Sequence, residues 1–117
     1  MKYLLMIYEN EQRYAQGYDK MELAEYGKFG GEFRAQILGG HALKLSSTAT
    51  SVRVREGKRL TTDGPFAETK EQLAGFYLLE CRNLDEAIEW AKMIPTGCKG
   101  GEGCIEIRPI SELPRRR

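Results

Sequence analysis

The sequence predicts an α+β fold of the ferredoxin-like, split βαβ type with an added hairpin. Three observations predict it: short apolar runs of strand length, two amphipathic segments that begin with capping signals, and a stretch of strict alternation between them. Their order is strand, helix, hairpin, strand, helix, strand. The length of 117 residues is typical of one domain, so we expect residues 1–117 to form a single domain, with residues 111–117 as a flexible basic tail.

The first strand is predicted over residues 2–8, an apolar run that is too short for a helix. Residues 10–19 are polar and are predicted to form a loop. A helix should follow over residues 20–38, because Asp19 and Glu22 have the spacing of a capping box and apolar residues then recur at helical spacing. Gly39 and Gly40 supply its stop.

Period-two alternation marks the hairpin. Val52 and Val54 alternate with arginines, residues 56–58 form the turn, and the chain returns through Leu60. A more apolar strand is predicted over residues 72–81, in which Gly75 indicates a bulge or a close backbone approach.

Asn83 and Glu86 have capping-box spacing before an apolar helical face, and Pro95 is expected to end that helix. Residues 97–103 form a flexible glycine loop and residues 104–110 the last strand. Two helices can cover only one face of the sheet, and the other face would expose apolar side chains. We therefore expect a homodimer joined sheet to sheet or edge to edge.

Charge and composition exclude several function classes. The 18 basic residues nearly cancel the 17 acidic ones, so we expect neither nucleic acid nor a membrane as a partner. A single histidine and no paired cysteines give little support for a metal or haem site. The glycine loop lacks the order of a phosphate-binding loop, so no cofactor is expected.

The cysteines and the lengths of the apolar runs indicate where in the cell the protein is located. The first apolar run is shorter than a signal peptide needs, and no run approaches a membrane span. The three cysteines then fit free thiols in a reducing environment, with a Cys98–Cys104 disulfide as the alternative. We expect a cytoplasmic protein.

Several motifs carry a resemblance to a known family. Asp63-Gly64-Pro65-Phe66 is followed by "AETKE", by Gly-Phe-Tyr-Leu at residues 75–78, by "LDEAIEWA" at residues 84–91 and by "IEIRPI" at residues 105–110. In this order they resemble the YCII-related family, in the branch named for its Asp-Gly-Pro-Phe (DGPF) motif. The resemblance covers nearly the whole chain.

The resemblance implies a dimeric α+β barrel, the fold of muconolactone isomerases and antibiotic-biosynthesis monooxygenases. Members of this branch are mostly uncharacterised and are described as genomic companions of extracytoplasmic-function sigma factors. Wider relatives are credited with a His-Asp active site and with dehydrochlorinase-like chemistry on ring compounds.

Asp63 has two interpretations. Its carboxylate could hold the corner as an Asx-type turn, or it could act as a general acid or base beside apolar neighbours. His41 is the candidate proton shuttle because its ordinary pKa lies near neutrality, although relatives often carry Glu or another residue at the matching position and the histidine of the wider family is placed differently. A structural role as a surface or half-buried polar residue is its alternative.

The predicted substrate-binding residues are Tyr8, Pro65, Phe66 and Lys70. Lys70 would attract an anionic substrate or steady an enolate; the alternative is that Thr69 and Gln72 form a capping box of a single helical turn there. Tyr8 would lend a hydroxyl to the same cavity, with packing in the core as its alternative. Two functions follow as hypotheses. One is a cofactor-independent lyase, isomerase or dehydrohalogenase that moves a proton on a small organic ligand, and the other is a non-catalytic ligand-sensing or protein-binding module linked to sigma-factor regulation.

Overall fold

The structure is a computed structural model that describes residues 1–14, 20–96 and 102–113. The strands are β1 (Lys2–Asn10), β2 (Ile37–Ala42), β3 (Thr50–Arg55), β4 (Lys58–Asp63), β5 (Glu71–Glu80) and β6 (Gly103–Pro109). The helices are α1 (Glu11–Tyr14), which is a single turn, α2 (Lys20–Glu32) and α3 (Leu84–Ala91), and a 3-10 turn spans Ser46–Thr48.

Four strands form the main sheet in the order β2-β5-β1-β6, with antiparallel neighbours throughout. The first strand of the chain therefore lies between β5 and β6, which are far from it in sequence. Strands β3 and β4 form a separate two-stranded ribbon. This arrangement is an α+β fold with antiparallel sheets, and its strand order is compatible with the predicted split βαβ plan.

The core lies between the sheet and the two longer helices. Every second residue of β1 is buried there, including Leu5, which is fully buried. Phe29 of α2 packs against Phe33, which directly follows the helix, with ring centroids 4.8 Å apart, and Phe29 also packs against Tyr77 of β5 at 5.1 Å. The α2 helix thus covers the sheet with aromatic side chains, which contribute large contact areas.

The cap of α3 confirms the predicted helix start. The Asn83 side chain accepts a hydrogen bond from the Glu86 backbone N–H over 2.9 Å. The Glu86 carboxylate accepts bonds from the backbone and side chain of Arg82, one residue before the cap. The helix itself ends at Ala91, earlier than the predicted end at Pro95.

The first long helix also ends earlier than predicted. It stops at Glu32, and Ile37 and the two glycines belong to β2, where Ile37 pairs with Leu79. Sheet pairing prevails over the helical spacing because Gly40 lies directly against β5: a Cβ on Gly40 would stand 2.7 Å from the Phe76 carbonyl oxygen.

Three further predictions concern a short loop, the hairpin turn and a bulge in β5. Residues 11–14, predicted as loop, form α1, and the hairpin turn has positive φ at Glu56 (51°) and Gly57 (77°), as a tight two-residue turn requires. The register of β1 against β5 shifts beside Gly75, so the predicted bulge is present. Asp19, most of the glycine loop and the end of the basic tail lie outside the described residues.

Candidate functional site

The face of the sheet opposite the helices carries an ordered set of side chains. Cross-strand pairing places them in three rows, each running from β2 or β5 through β1 to β6. The rows are Gly39, Leu78, Leu4 and Arg108; His41, Phe76, Met6 and Glu106; and Leu73, Tyr8 and Cys104. Strand alternation puts these residues on one face, which we call the helix-free face.

An open cavity of about 1000 Å³ lies over the third row of the helix-free face. Its floor includes Leu73, Tyr8 and Cys104. Residues 43–49 form one wall, and residues 65–72 form the other. We call these the first wall and the second wall. The cavity combines apolar surface with hydroxyl, amide and charged groups, as ligand sites usually do.

All four residues predicted to bind a substrate line this cavity: Tyr8, Pro65, Phe66 and Lys70. Tyr8 is half-buried in the floor, whereas Phe66 is 81% exposed at the mouth. The Lys70 ammonium group lies 3.6 Å from the Glu102 carboxylate, and both side chains are exposed. This geometry brings the four residues together, and their role in binding stays a prediction.

Asp63 is exposed at the end of β4, where it pairs with Thr50. Ser51, the next residue of β3, lines the cavity, whereas Asp63 does not. Because cross-strand partners share a face and successive residues alternate, the Asp63 side chain lies on the opposite face of the ribbon from Ser51. The predicted acid or base therefore stands beside the cavity, with its carboxylate directed away from it.

The corner after Asp63 is held by other groups. Gly64, with φ of 97°, donates its N–H to the Ala49 carbonyl over 2.8 Å. The Ser51 hydroxyl donates to the Gly64 carbonyl over 2.7 Å, and the Arg53 guanidinium donates to the Phe66 carbonyl over 2.6 Å. Among the described residues, no hydrogen bond to the Asp63 carboxylate holds this turn, so the Asx-type turn is not formed.

His41 lies at the β2 end of the second row and does not line this cavity, and its ring stands edge-on to Phe76 at 5.9 Å between centroids. It also borders a smaller cavity of about 260 Å³ between α2 and the edge of the sheet, which includes Tyr26 and Gly75. His41 and Asp63 therefore do not share a cavity in this structure, and a His-Asp pair is not assembled within one chain.

Sequence reasoning did not identify several groups in the main cavity. They are Lys44, Ser46, Thr48, Ser51, Glu71, Gln72, Cys104 and Glu106. Cys104 and Glu106 face the cavity because β6 pairs with β1 beside Tyr8 and Met6. Alternation in β6 would have placed the two on one face, but only the pairing shows that this face is the floor of the cavity.

Other titratable groups lie away from the cavity. Glu9 is fully buried on the helix side and accepts a hydrogen bond from the Thr96 hydroxyl over 2.9 Å. Burial raises the pKa of the Cys81 thiol, and the nearby Glu86 carboxylate raises it further, which makes Cys81 a poor nucleophile. Burial likewise raises the pKa of Tyr77. These groups support the fold.

The described ranges contain no cluster of three His, Cys, Asp or Glu side chains that could hold a metal ion. Within the same ranges, the helices are too short or too polar to cross a membrane.

Comparison with known proteins identifies the relatives of this chain. A family model described as "YCII-related domain" matches residues 1–114. An uncharacterised protein of Rhizobium meliloti (strain 1021) is 42% identical over 74 residues, an alignment that covers 59% of this chain. The chain spans 59% of the length of that curated relative.

Proposed function

The chain belongs to the YCII-related family, and on that basis we propose that it binds a small organic molecule in the cavity on its helix-free face. The observation that carries the proposal is the convergence of Tyr8, Pro65, Phe66 and Lys70 on one cavity of about 1000 Å³. This volume accommodates a drug-sized ligand. Leu73 offers an apolar floor beside Tyr8, Lys44 and Lys70 supply positive charge, and Glu71 and Glu106 supply negative charge.

In the catalytic form of this proposal, the protein is a cytoplasmic, cofactor-independent enzyme of the DGPF branch that transfers a proton, as a lyase, isomerase or dehydrohalogenase does. Asp63 is its acid or base, and His41 is an accessory group. The support is that Asp63 lies two residues before Pro65, where the second wall begins. A general base must come within hydrogen-bond reach of its proton, so the Asp63 carboxylate has to turn toward the ligand.

The alternative is a non-catalytic ligand-sensing module. It is favoured by the direction of the Asp63 side chain, which lies on the ribbon face opposite to Ser51. Asp63→Asn separates the two forms: proton transfer on an identified substrate should fall by about 10²-fold or more if Asp63 is the base. Turnover equal to that of the wild type would leave only the sensing form.

We also propose that two copies pair as a dimeric α+β barrel through the helix-free face. Leu4, Met6, Phe76 and Leu78 are apolar and only half-buried on this face of a single chain. Burying them would contribute about 25 cal/mol for each Å² of apolar surface removed from water. A second copy would also cover the exposed Phe66 side chain at the mouth of the cavity.

The binding proposal is tested with the amphipathic fluorescent anion 8-anilinonaphthalene-1-sulfonate. Cys104→Trp should fill the floor of the cavity and weaken the binding of this probe by about tenfold or more, a loss of about 1.4 kcal/mol. Val54→Trp is the control, because Val54 is also an exposed strand residue but lies on the ribbon face that is directed away from the cavity. Equal probe affinity in the two variants would contradict binding in this cavity.

A further inference from the structure

The first wall of the cavity is tied to the end of β1 by one carboxylate. Glu11, the first residue of α1, accepts hydrogen bonds from both the backbone N–H and the hydroxyl of Ser46, each over 2.5 Å. The two residues are 35 positions apart in sequence. Glu11 does not line the cavity, whereas Ser46 does, so these hydrogen bonds reach the cavity through Ser46.

Ser46 lies where a helical turn needs an acceptor for its first N–H groups. Ser46 begins the 3-10 turn, and the preceding Leu45 provides no side-chain cap. The first N–H groups of a helical turn lack partners within the turn, and a charged acceptor satisfies them more strongly than a neutral one. The second bond, from the Ser46 hydroxyl, fixes the direction from which the carboxylate approaches. Glu11 therefore replaces the missing cap from another part of the chain.

The first wall is hydrogen-bonded to β5 and to Gly64, the residue that precedes the second wall. The Leu43 N–H donates to the Ala74 carbonyl of β5 over 2.8 Å, which fixes the start of the first wall. Within that wall, the Ala49 N–H donates to the Ser46 carbonyl over 3.0 Å, and the Ala49 carbonyl accepts from Gly64 at the start of the corner. These bonds connect Ser46 through Ala49 to the Gly-Pro-Phe corner.

We propose that Glu11 is a positioning residue that sets the spacing of the two walls and so determines which ligands the cavity accepts. The inference rests on the proposed binding function. Asn10 contributes by holding α1 in place, because its side-chain oxygen accepts the Gln12 N–H over 3.0 Å. Tyr8 in the floor belongs to the same strand as Asn10. The Glu11–Ser46 hydrogen bonds therefore connect the floor of the cavity to its first wall.

The test uses the full chain with Glu11→Ala, Glu11→Gln, Ser46→Ala and the double variant Glu11→Ala/Ser46→Ala. Gln12→Ala is the matched control, since Gln12 is the exposed neighbour on α1 and its side chain makes no hydrogen bond within the described residues. Three quantities are measured well below the unfolding temperature: the Kd of 8-anilinonaphthalene-1-sulfonate, the amide hydrogen exchange of residues 46–49, and the melting temperature.

For Glu11→Ala we expect the probe Kd to rise by roughly tenfold, because the first wall is no longer held in the position that the probe contacts, and we expect faster exchange of the Ser46 amide. Glu11→Gln keeps one acceptor oxygen, so its probe Kd and its Ser46 amide exchange should lie between those of Glu11→Ala and the wild type. The double variant should match Glu11→Ala within about twofold, because the two residues act through one contact. Gln12→Ala should behave as the wild type.

A lower melting temperature for Glu11→Ala, with probe Kd and wall exchange both unchanged, would overturn the inference and leave Glu11 a purely stabilising role. Failure of the proposed function has a different signature. In that case the Cys104→Trp variant binds the probe as the wild type does, while the exchange of residues 46–49 still reports whether Glu11 positions the wall.

Discussion

The Ser51 hydroxyl donates a hydrogen bond to the Gly64 carbonyl oxygen over 2.7 Å, so the opposite strand of the ribbon holds the corner that follows Asp63. Strand pairing places Thr50 opposite Asp63 and leaves Ser51 on the cavity side. The stability of the corner and the chemistry of Asp63 are therefore separable by mutation.

Ser51→Ala should lower the free energy of unfolding by about 1 kcal/mol, because it leaves the Gly64 carbonyl without this donor. Asp63→Asn should change it by less than about 0.5 kcal/mol, because the Asp63 side chain is exposed and does not hold the turn. Urea unfolding monitored by circular dichroism measures both. A larger loss for Asp63→Asn than for Ser51→Ala would show that the carboxylate does hold the corner.

Gly40→Ala should destabilise the protein by about 1–3 kcal/mol, because the added Cβ would lie 2.7 Å from the Phe76 carbonyl oxygen and the strands cannot separate cheaply. Gly39→Ala on the same strand is the matched control, since its Cβ would meet no atom within 4 Å. It should be neutral or slightly stabilising. Equal denaturation midpoints for the two variants would refute the close approach of β2 to β5.

The Glu86 carboxylate should make stability depend on pH. Hydrogen bonds from the Arg82 backbone N–H and guanidinium hold the pKa of Glu86 below its usual range. Because the folded pKa is depressed, the contribution is present above the unfolded carboxyl pKa of about 4.3 and is lost as pH falls through the folded value.

Glu86→Gln should therefore be less stable than the wild type at pH 7, and the two should converge as pH falls below about 4. Glu89→Gln controls for removal of a helix charge, because Glu89 is exposed and lies 3.6 Å from Lys92. Unfolding in urea at pH 7, 5, 4 and 3 measures the difference. A difference in the free energy of unfolding between Glu86→Gln and the wild type that stays constant down to pH 3 would contradict this role of Glu86.

Phe76→Glu should separate the proposed dimer, because it places a charge in the middle row of the helix-free face, where Phe76 pairs with Met6. Leu84→Glu is the control, since Leu84 is also apolar and is 47% exposed, but it begins α3 on the helix side. Sedimentation velocity should show a dimer for wild type and Leu84→Glu and a monomer for Phe76→Glu. A monomeric wild type would exclude the dimer.

Much of the fold was predictable because its signals are local. The alternation of Val52 and Val54 predicted β3, and the Asn83–Glu86 spacing predicted the cap of α3, since both depend on residues within a few positions of each other. The helix predicted through residue 38 was too long. Helical spacing continued past Glu32, and only the pairing of Ile37 with Leu79 made that segment a strand.

The candidate site was predictable in its membership but not in its geometry. Tyr8, Pro65, Phe66 and Lys70 could be named from residue type and motif, whereas Lys44, Cys104 and Glu106 enter the cavity through the pairing of strands distant in sequence. The direction of the Asp63 carboxylate depends on the register of β3 against β4. A slip of one residue would have turned it to the cavity side.

The sequence by itself determined most of the strands, the hairpin turn and the cap of α3, because backbone preferences, period-two alternation and capping act over a few residues. The tertiary structure alone decided that β1 lies between β5 and β6, that Glu11 meets Ser46, and that Asp63 faces away from the cavity. These relationships depend on contacts between distant segments, whose register is fixed only when the sheet and its core assemble.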